Sequence, residues 1–318
     1  MPTPKLPATT AAPAVTPTAP KAPTLAKGRP TLAVPASGRG TPKAQHVPKV
    51  FKVAEWCADK EGEKIVIHAK SGMGKTTLAS QIEGVVFIGV DDGGRKITNP
   101  LTGKPTKVIP GVESFQDIRD ALNQNSLWDD GCTIAIDTLT KAEELSEAYI
   151  LQNYQTKNGR ATNMRQFGWD ASSHYLDTMR LLIGDLDPHI RKGHNVVLLC
   201  QAGQVRIPNA EGADYLEDGP RLSHNNQNSS RAFVCEWADH VFRIGYNGMS
   251  VNVQEGAKAG KLELAEGATR AIFTGGAPHF IAKSRPTKFG TCIPFIVDFS
   301  TPQTDDLWQF LFHGAKVE

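Results

Sequence analysis

Ala69-Lys70-Ser71-Gly72-Met73-Gly74-Lys75-Thr76-Thr77 is the stretch that decides how this chain folds. It follows the β-type run Lys64-Ile65-Val66-Ile67-His68 and leads into the helix-type run Thr76-Thr77-Leu78-Ala79-Ser80-Gln81-Ile82. A strand, a glycine-rich turn, Lys-Thr and a helix, in that order, form the context of a phosphate-binding loop. The backbone N–H groups of such a turn and of the helix start converge on one spot and favour an anion there. Lys75 is placed to meet the β- and γ-phosphates of a nucleotide such as ATP. The Thr76 hydroxyl is placed to ligate Mg²⁺, a hard cation that prefers oxygen. Gly72 and Gly74 let the backbone approach the phosphates with no Cβ in the way. The usual pattern, G-x-x-x-x-G-K-[ST], has Ala69 here in place of its first glycine. Alanine resists positive φ, so the sequence predicts a tighter turn or weaker nucleotide affinity.

Charge is unevenly divided along the chain. Residues 1–50 hold seven Lys or Arg, no Asp or Glu, and 11 of the 21 prolines. The remaining 268 residues carry 28 basic and 33 acidic side chains, a net of −5. A segment so poor in apolar surface cannot offset its ordering entropy, so residues 1–49 read as a disordered Pro/Ala/Thr-rich basic tail. It lacks the apolar core of a secretory signal, and its prolines spoil the amphipathic helix of a transit peptide. Its charge would add a salt-sensitive attraction to nucleic acid. No run of 18 apolar residues occurs, so no membrane span is expected. Cys57, Cys132, Cys200, Cys235 and Cys292 form no C-x-x-C pair and mostly sit in apolar runs. That pattern predicts buried, reduced thiols of a cytoplasmic protein. The histidines show no H-E-x-x-H spacing, and no metal beyond a nucleotide's Mg²⁺ is implied.

From about residue 50 strands alternate with helices. Strands are expected at 63–68, 85–90, 132–137 and 196–201, and helices at 114–125, 141–154 and 169–192, with Ser114 as a cap. Apolar strands spaced by helices imply an α/β fold, a mostly parallel sheet covered on both faces. After 238 the texture changes to short strand-like pieces, 239–245, 249–254, 270–274, 278–283 and 292–298, and a closing helix at 304–312. Residues 50–318 therefore read as one domain whose sheet extends into antiparallel strands near the C-terminus.

Three further positions suit nucleotide chemistry. Asp137 closes Ile134-Ala135-Ile136, and a carboxylate at that edge of a strand next to the loop strand would support Mg²⁺. Asp137 or Thr138 could instead cap the following helix. Asp91 and Asp92 end the second strand, read as one strand along from the loop strand, and either could orient an attacking water. Gln201 ends Val196-Val197-Leu198-Leu199-Cys200, where a lone amide suits a γ-phosphate contact better than a core.

In their order these elements resemble the RecA-like P-loop ATPase core. The layout from Phe167-Gly168-Trp169 to Gln201-Ala202-Gly203-Gln204-Val205-Arg206 resembles the segment between that core's two DNA loops. The chain is most similar to small phage recombination ATPases of the Sak-four type. Supporting patches are Thr133–Thr140, Gly219-Pro220-Arg221-Leu222, Ala238–Arg243 and Ala282-Lys283-Ser284-Arg285. The resemblance spans about residues 50–312. It implies ATP-dependent annealing or strand exchange on single-stranded DNA in a bacterial host cytoplasm. It also implies a homo-oligomeric ring or filament, with a phage single-strand binding protein as a further partner.

Two segments suit a single strand. Residues 154–169 hold Lys157, Arg160 and Arg165 with no carboxylate, flanked by Tyr154, Phe167 and Trp169. Basic groups interleaved with aromatics can pair phosphates and stack bases. Residues 202–231 exceed an ordinary connection and hold Arg206, Arg221, His224, Asn225, Asn226, Gln227 and Arg231, but also Glu211, Asp214, Glu217 and Asp218. Lys283 and Arg285 correspond to residues that reach a neighbour's γ-phosphate in RecA-like assemblies. Two rival readings remain open: a P-loop kinase, for which no lid or second substrate pocket is visible in the sequence, and a nucleotide-binding accessory protein with weak turnover.

Overall fold

The computed structural model describes residues 60–91, 94, 96–129, 131–209, 212–252, 261–300 and 305–315. The tail 1–49, Cys57, Asp92 and Glu211 lie outside the described residues.

Strand β1 (Lys64–Ala69) enters the phosphate loop and helix α1 (Lys75–Ser80) leaves it. Strand β2 (Val85–Gly89) and the short β3 (Lys107–Ile109) follow. Helix α2 (Phe115–Asn123) begins as its sequence indicates: the Ser114 side chain accepts from Asp117 N–H, and the Asp117 carboxylate accepts from Ser114 N–H. That reciprocal pair satisfies two of the donors that a helix start leaves open. Strand β4 (Thr133–Asp137) leads into helix α3 (Leu139–Asn153), and a hairpin of β5 (Gln155–Thr156) and β6 (Gly159–Arg160) comes next. Helix α4 (Ala171–Arg191) precedes β7 (Asn195–Ile207).

The segment 202–231, expected as a long connection, contains a β-hairpin and the start of a helix. Strand β7 runs on to Ile207 and pairs antiparallel with β8 (Tyr215–Pro220), and helix α5 spans Ser230–Trp237. The expected pieces 239–245 and 249–254 are likewise joined, as far as Asn252, in one strand, β9 (His240–Asn252), paired with β10 (Lys261–Phe273); residues 253 and 254 lie outside the described residues. Strands β11 (Lys283–Ser284) and β12 (Ile296–Asp298) and helix α6 (Asp306–Phe312) follow.

The main sheet runs β12-β10-β9-β1-β7-β4-β2-β3. From β9 to β3 all neighbours are parallel, whereas β10, β11, β12 and β8 pair antiparallel. The α/β class with an antiparallel C-terminal extension is what the alternation predicts. The order corrects two adjacencies: β7 lies between β1 and β4, and β2 is a further strand away.

Successive side chains of a strand point to opposite faces, and the apolar runs divide accordingly. Val66, Ile134, Ile136, Val196 and Leu198 pack under α2, α3 and α4 with Phe115, Leu122, Leu139 and Leu182. Ile65, Ile67, Ala135, Val197 and Leu199 pack on the other face with Leu78 of α1 and Leu307, Trp308 and Leu311 of α6. The Trp308 indole donates to Leu78 O at 2.9 Å, which ties α6 to α1. Both faces of the central strands are therefore dry.

Candidate nucleotide site

The loop 69–77 sits at the C-terminal edge of the parallel strands. Gly72 and Gly74 have φ of 77° and 94°, a region other residues seldom adopt. Ala69 does not need that freedom. It is the last residue of β1, in register with Gln201 and packed beside Leu78 and Ala79. The expected tightening of the turn therefore has no basis: the methyl group is core packing.

Lys75 is only 7% exposed. Its ammonium donates to Ala69 O at 3.1 Å, Lys70 O at 3.3 Å and Gln201 Oε1 at 3.2 Å. Burial holds its pKa below the usual lysine value, and Asp137 opposes that shift. The Thr76 hydroxyl donates to Asp137 Oδ2 at 2.7 Å. Burial raises the Asp137 pKa, and this hydrogen bond pulls it back down. Thr138 caps α3, its side chain accepting from Lys141 N–H, so Asp137 is left to face the loop. The carboxylate reaches Thr76 although its strand is not β1's neighbour, because the pairing of β7 with β1 stops at Gln201 and with β4 at Leu199.

Asp91 follows β2 and lines the same cavity as Lys75, Thr76, Asp137 and Gln201, a space of about 280 Å³. Asp92, the other candidate, lies outside the described residues. One loop lysine, one hydroxyl, one carboxylate and free room beside two left-handed glycines suit a nucleotide with Mg²⁺. A magnesium ion keeps several waters and needs few protein ligands. Among the described residues, no group of three or more His, Cys, Asp or Glu is placed to hold another metal.

Several supports were not legible in the sequence. The Thr140 hydroxyl accepts from Gln201 N–H at 3.0 Å, and Gln201 O accepts from Arg221 N–H at 2.7 Å, so both sides of the Gln201 backbone are held. Arg270 of β10 donates to Met73 O at 3.4 Å and to Phe299 O at 3.2 Å, and lies over the Phe299 ring. A Cβ on Gly74 would stand 3.0 Å from Phe299 Cε1. The antiparallel extension thus braces the phosphate loop, a contact nearly 200 positions distant in sequence.

The structure also reveals a second cavity, of about 740 Å³, that shares Thr76, Asp91 and Asp137 with the first. Phe87, Val90, Val108, Ile109 and Leu145 give it apolar walls, and Lys141 and Glu113 give it charge. The sequence showed no such pocket.

The expected strand-contacting residues separate into two groups. Lys157, Arg160, Arg165, Arg206 and Arg221 are exposed, though Arg206 pairs with Asp214 and Arg221 with Glu144. Arg231 corrects its assignment. It is 2% exposed and donates to Glu217 Oε2 at 2.8 Å, clamping the base of the β7–β8 hairpin. Phe167 is also buried, among Ile150, Ala161 and Tyr175, whereas Trp169 is 90% exposed. Lys283, paired with Val241, and Arg285, whose N–H donates to Asp239 O, stand at the start of the parallel strands, at the edge opposite their own chain's phosphate loop. Arg285 donates to Asp239 at 2.7 Å and Lys283 to Glu236 O at 3.3 Å. Cys132, Cys200 and Cys235 are buried free thiols as expected, but Cys292 is exposed.

Glu143 of α3 lies behind this edge. Its Oε2 accepts from Ser223 N–H at 2.7 Å, while Oε1 is buried without a partner. Burial pushes its pKa up to about 7. The folded state therefore holds a proton that the unfolded chain releases near pH 4.5. Stability from this group is present at low pH and lost as pH rises towards 7. Glu143→Gln should remove that slope, so the variant gains on wild type between pH 5 and pH 8 by up to about 3 kcal/mol. Urea melts at the two pH values check this; parallel melts for both proteins would remove Glu143 as the source.

A mostly parallel sheet flanked by helices, a Gly-Lys-Thr loop at its edge and a carboxylate bonded to the loop threonine define a P-loop nucleotide-binding protein of α/β fold. A family model described as an AAA domain matches residues 61–286, and the chain belongs to that family. No curated protein matches the chain. Among solved structures it is similar to a prototypical ATPase from the type III secretion system of pathogenic bacteria, at 14% identity and a TM-score of 0.34, covering 58% of this chain and 51% of that one. A KaiC-like protein from the hyperthermophilic archaeon Pyrococcus horikoshii is 11% identical, with a TM-score of 0.34 and coverage of 75% and 90%. A DnaB-like replicative helicase is 12% identical, with a TM-score of 0.30 and coverage of 67% and 56%. The chain thus spans about half the length of the secretion ATPase. No helix among the described residues is long and apolar enough to cross a membrane.

Proposed function

We propose that this chain hydrolyses ATP and acts on single-stranded DNA, in annealing or strand exchange of the phage recombination type. The observation that carries the DNA part is a meeting of distant segments. Asn225 donates to Ser172 Oγ at 3.3 Å and Asn228 to Ser173 Oγ at 2.8 Å. These bonds hold residues 225–228 over the start of α4, where they share a cavity with the exposed Trp169 that ends the other candidate segment. Arg160 and Arg165 lie on the same stretch as Trp169, which supplies charge for phosphates beside a ring for bases.

ATP with Mg²⁺ would supply the transferable phosphoryl group and the metal that neutralises it. Loop 69–77 would hold the phosphates, Lys75 would pair with the terminal ones, and Thr76 and Asp137 would hold the metal. Asp91 would orient the attacking water. Gln201 would report the terminal phosphate to the hairpin that continues its own strand. Lys283 and Arg285 face away from their own loop, which suits a role at a neighbour's site in a homo-oligomer. The basic tail would strengthen DNA attraction at low salt, and a phage single-strand binding protein would be a further partner in the host cytoplasm.

Turnover measured with and without single-stranded DNA tests the whole reading: stimulation is expected, and DNA-independent turnover with no DNA binding would remove the strand. Asp137→Asn should weaken Mg²⁺-dependent turnover. Asp91→Asn should lower kcat more than ATP affinity, because a water-orienting group acts mainly in the transition state. Normal turnover in Asp91→Asn would move that role elsewhere.

One observation favours a second reading. The 740 Å³ cavity beside Thr76, Asp91 and Asp137 has the size of a small-molecule site. A phosphoryl acceptor there would make the chain a P-loop kinase. ATP consumption without any added acceptor distinguishes a hydrolase from that alternative.

A further inference from the structure

Gly168 has φ 58° and ψ −124°, and this bend turns its neighbours apart: Phe167 goes into the core and Trp169 out into water. Beside Trp169 lies a cavity of about 370 Å³, closed by Asp170, Ser173 and the run Asn225-Asn226-Gln227-Asn228. The amides of Asn225 and Asn228 each donate to a serine of α4 and so hold the run over the start of that helix. The exposed side chains of Asn226 and Gln227 remain at the mouth.

The lining has an aromatic ring, side-chain amides and a carboxylate, but no Lys or Arg. That chemistry repels a phosphate and suits a nucleobase. An indole offers a stacking face to any base. A side-chain amide presents a donor and an acceptor side by side, which match the N6 amino group and N7 of adenine. Asp170 can accept from an exocyclic amino group, which thymine lacks. A base of a single strand can be splayed out so that its ring face stacks while its edge is read, whereas a duplex keeps that face within its own stack.

We infer that the Trp169 cavity takes one unstacked nucleobase and reads its edge, so that the chain prefers adenine over thymine in a single strand. This rests on the single-strand reading above and adds base selectivity to it. Trp169 supplies sequence-tolerant stacking, Asn226 and Gln227 supply the discrimination, and phosphates lie outside the cavity on Arg160 and Arg165.

The test is a binding titration of the full chain with labelled 20-mers of dA and dT at one fixed salt concentration, with a thermal melt of each variant. Wild type should bind dA about tenfold more tightly than dT, the low end for a two-point amide–base pair. The Asn226→Ala/Gln227→Ala double variant should lose that ratio while keeping its dT affinity within about twofold. Trp169→Ala should weaken both strands and preserve the ratio. Equal wild-type affinity for dA and dT, or a ratio that survives in the folded double variant, overturns the inference and leaves DNA binding in place. No binding of either strand overturns the function on which the inference rests.

Discussion

Replacing Lys75 by alanine is expected to lower ATP turnover by at least about 100-fold, the scale of losing one preorganised charge-stabilising group. The side chain is 7% exposed and its ammonium is held by two loop carbonyls and Gln201. Burial already disfavours its charge, so deleting the ammonium relieves a desolvation cost while it removes three hydrogen bonds. The aliphatic stem is a different matter, since the stem of a lysine packs as hydrocarbon. Lys75→Met keeps most of that volume and separates the two effects. Both variants should lose turnover, and Lys75→Met should melt closer to wild type than Lys75→Ala does. A folded Lys75→Met protein with near wild-type turnover would end the phosphate-loop assignment.

Two neighbouring aromatics should fail in opposite ways. Phe167→Ala empties a site packed by Ile150, Ala161, Met164 and Tyr175, and truncating a buried phenylalanine costs about 3–5 kcal/mol of stability. Trp169→Ala removes a ring that is 90% exposed, so the melt should barely move. If a base stacks on that ring, single-strand affinity should fall by about 1–3 kcal/mol, with the salt dependence unchanged. Arg160→Ala and Arg165→Ala should each reduce the salt slope by about one unit at most. Unchanged affinity in folded Trp169→Ala, Arg160→Ala and Arg165→Ala proteins would take DNA out of the reading and favour the kinase alternative.

The expectations that held rest on short-range rules. Ser114 three residues before Asp117 specifies its own cap, and Gly-Lys-Thr after an apolar strand specifies its own turn. The adjacency of Asp137 and Asp91 to the loop strand was misjudged because strand order is not written in chain order. Insertion of β7 between β1 and β4 follows from packing, and it puts Gln201 against Lys75. Arg231 was misread for a related reason: a charge in a polar stretch looks solvated until its partner is known. Glu217 stands 14 positions away and meets it only because β8 folds back on β7.

The sequence by itself determined the phosphate loop, the alternation that makes a doubly covered parallel sheet, and the candidate carboxylates Asp91, Asp92 and Asp137. Those features depend on residue type and spacing within a few turns of chain. The tertiary structure decided which side chains share a site. Only folding brings Arg270 under Met73, joins Asn225 and Asn228 to the start of α4, opens the second cavity beside Thr76, and buries Phe167 while exposing Trp169. Each depends on contacts between segments far apart in the chain, where the energy of burial and pairing, rather than local propensity, sets the partner.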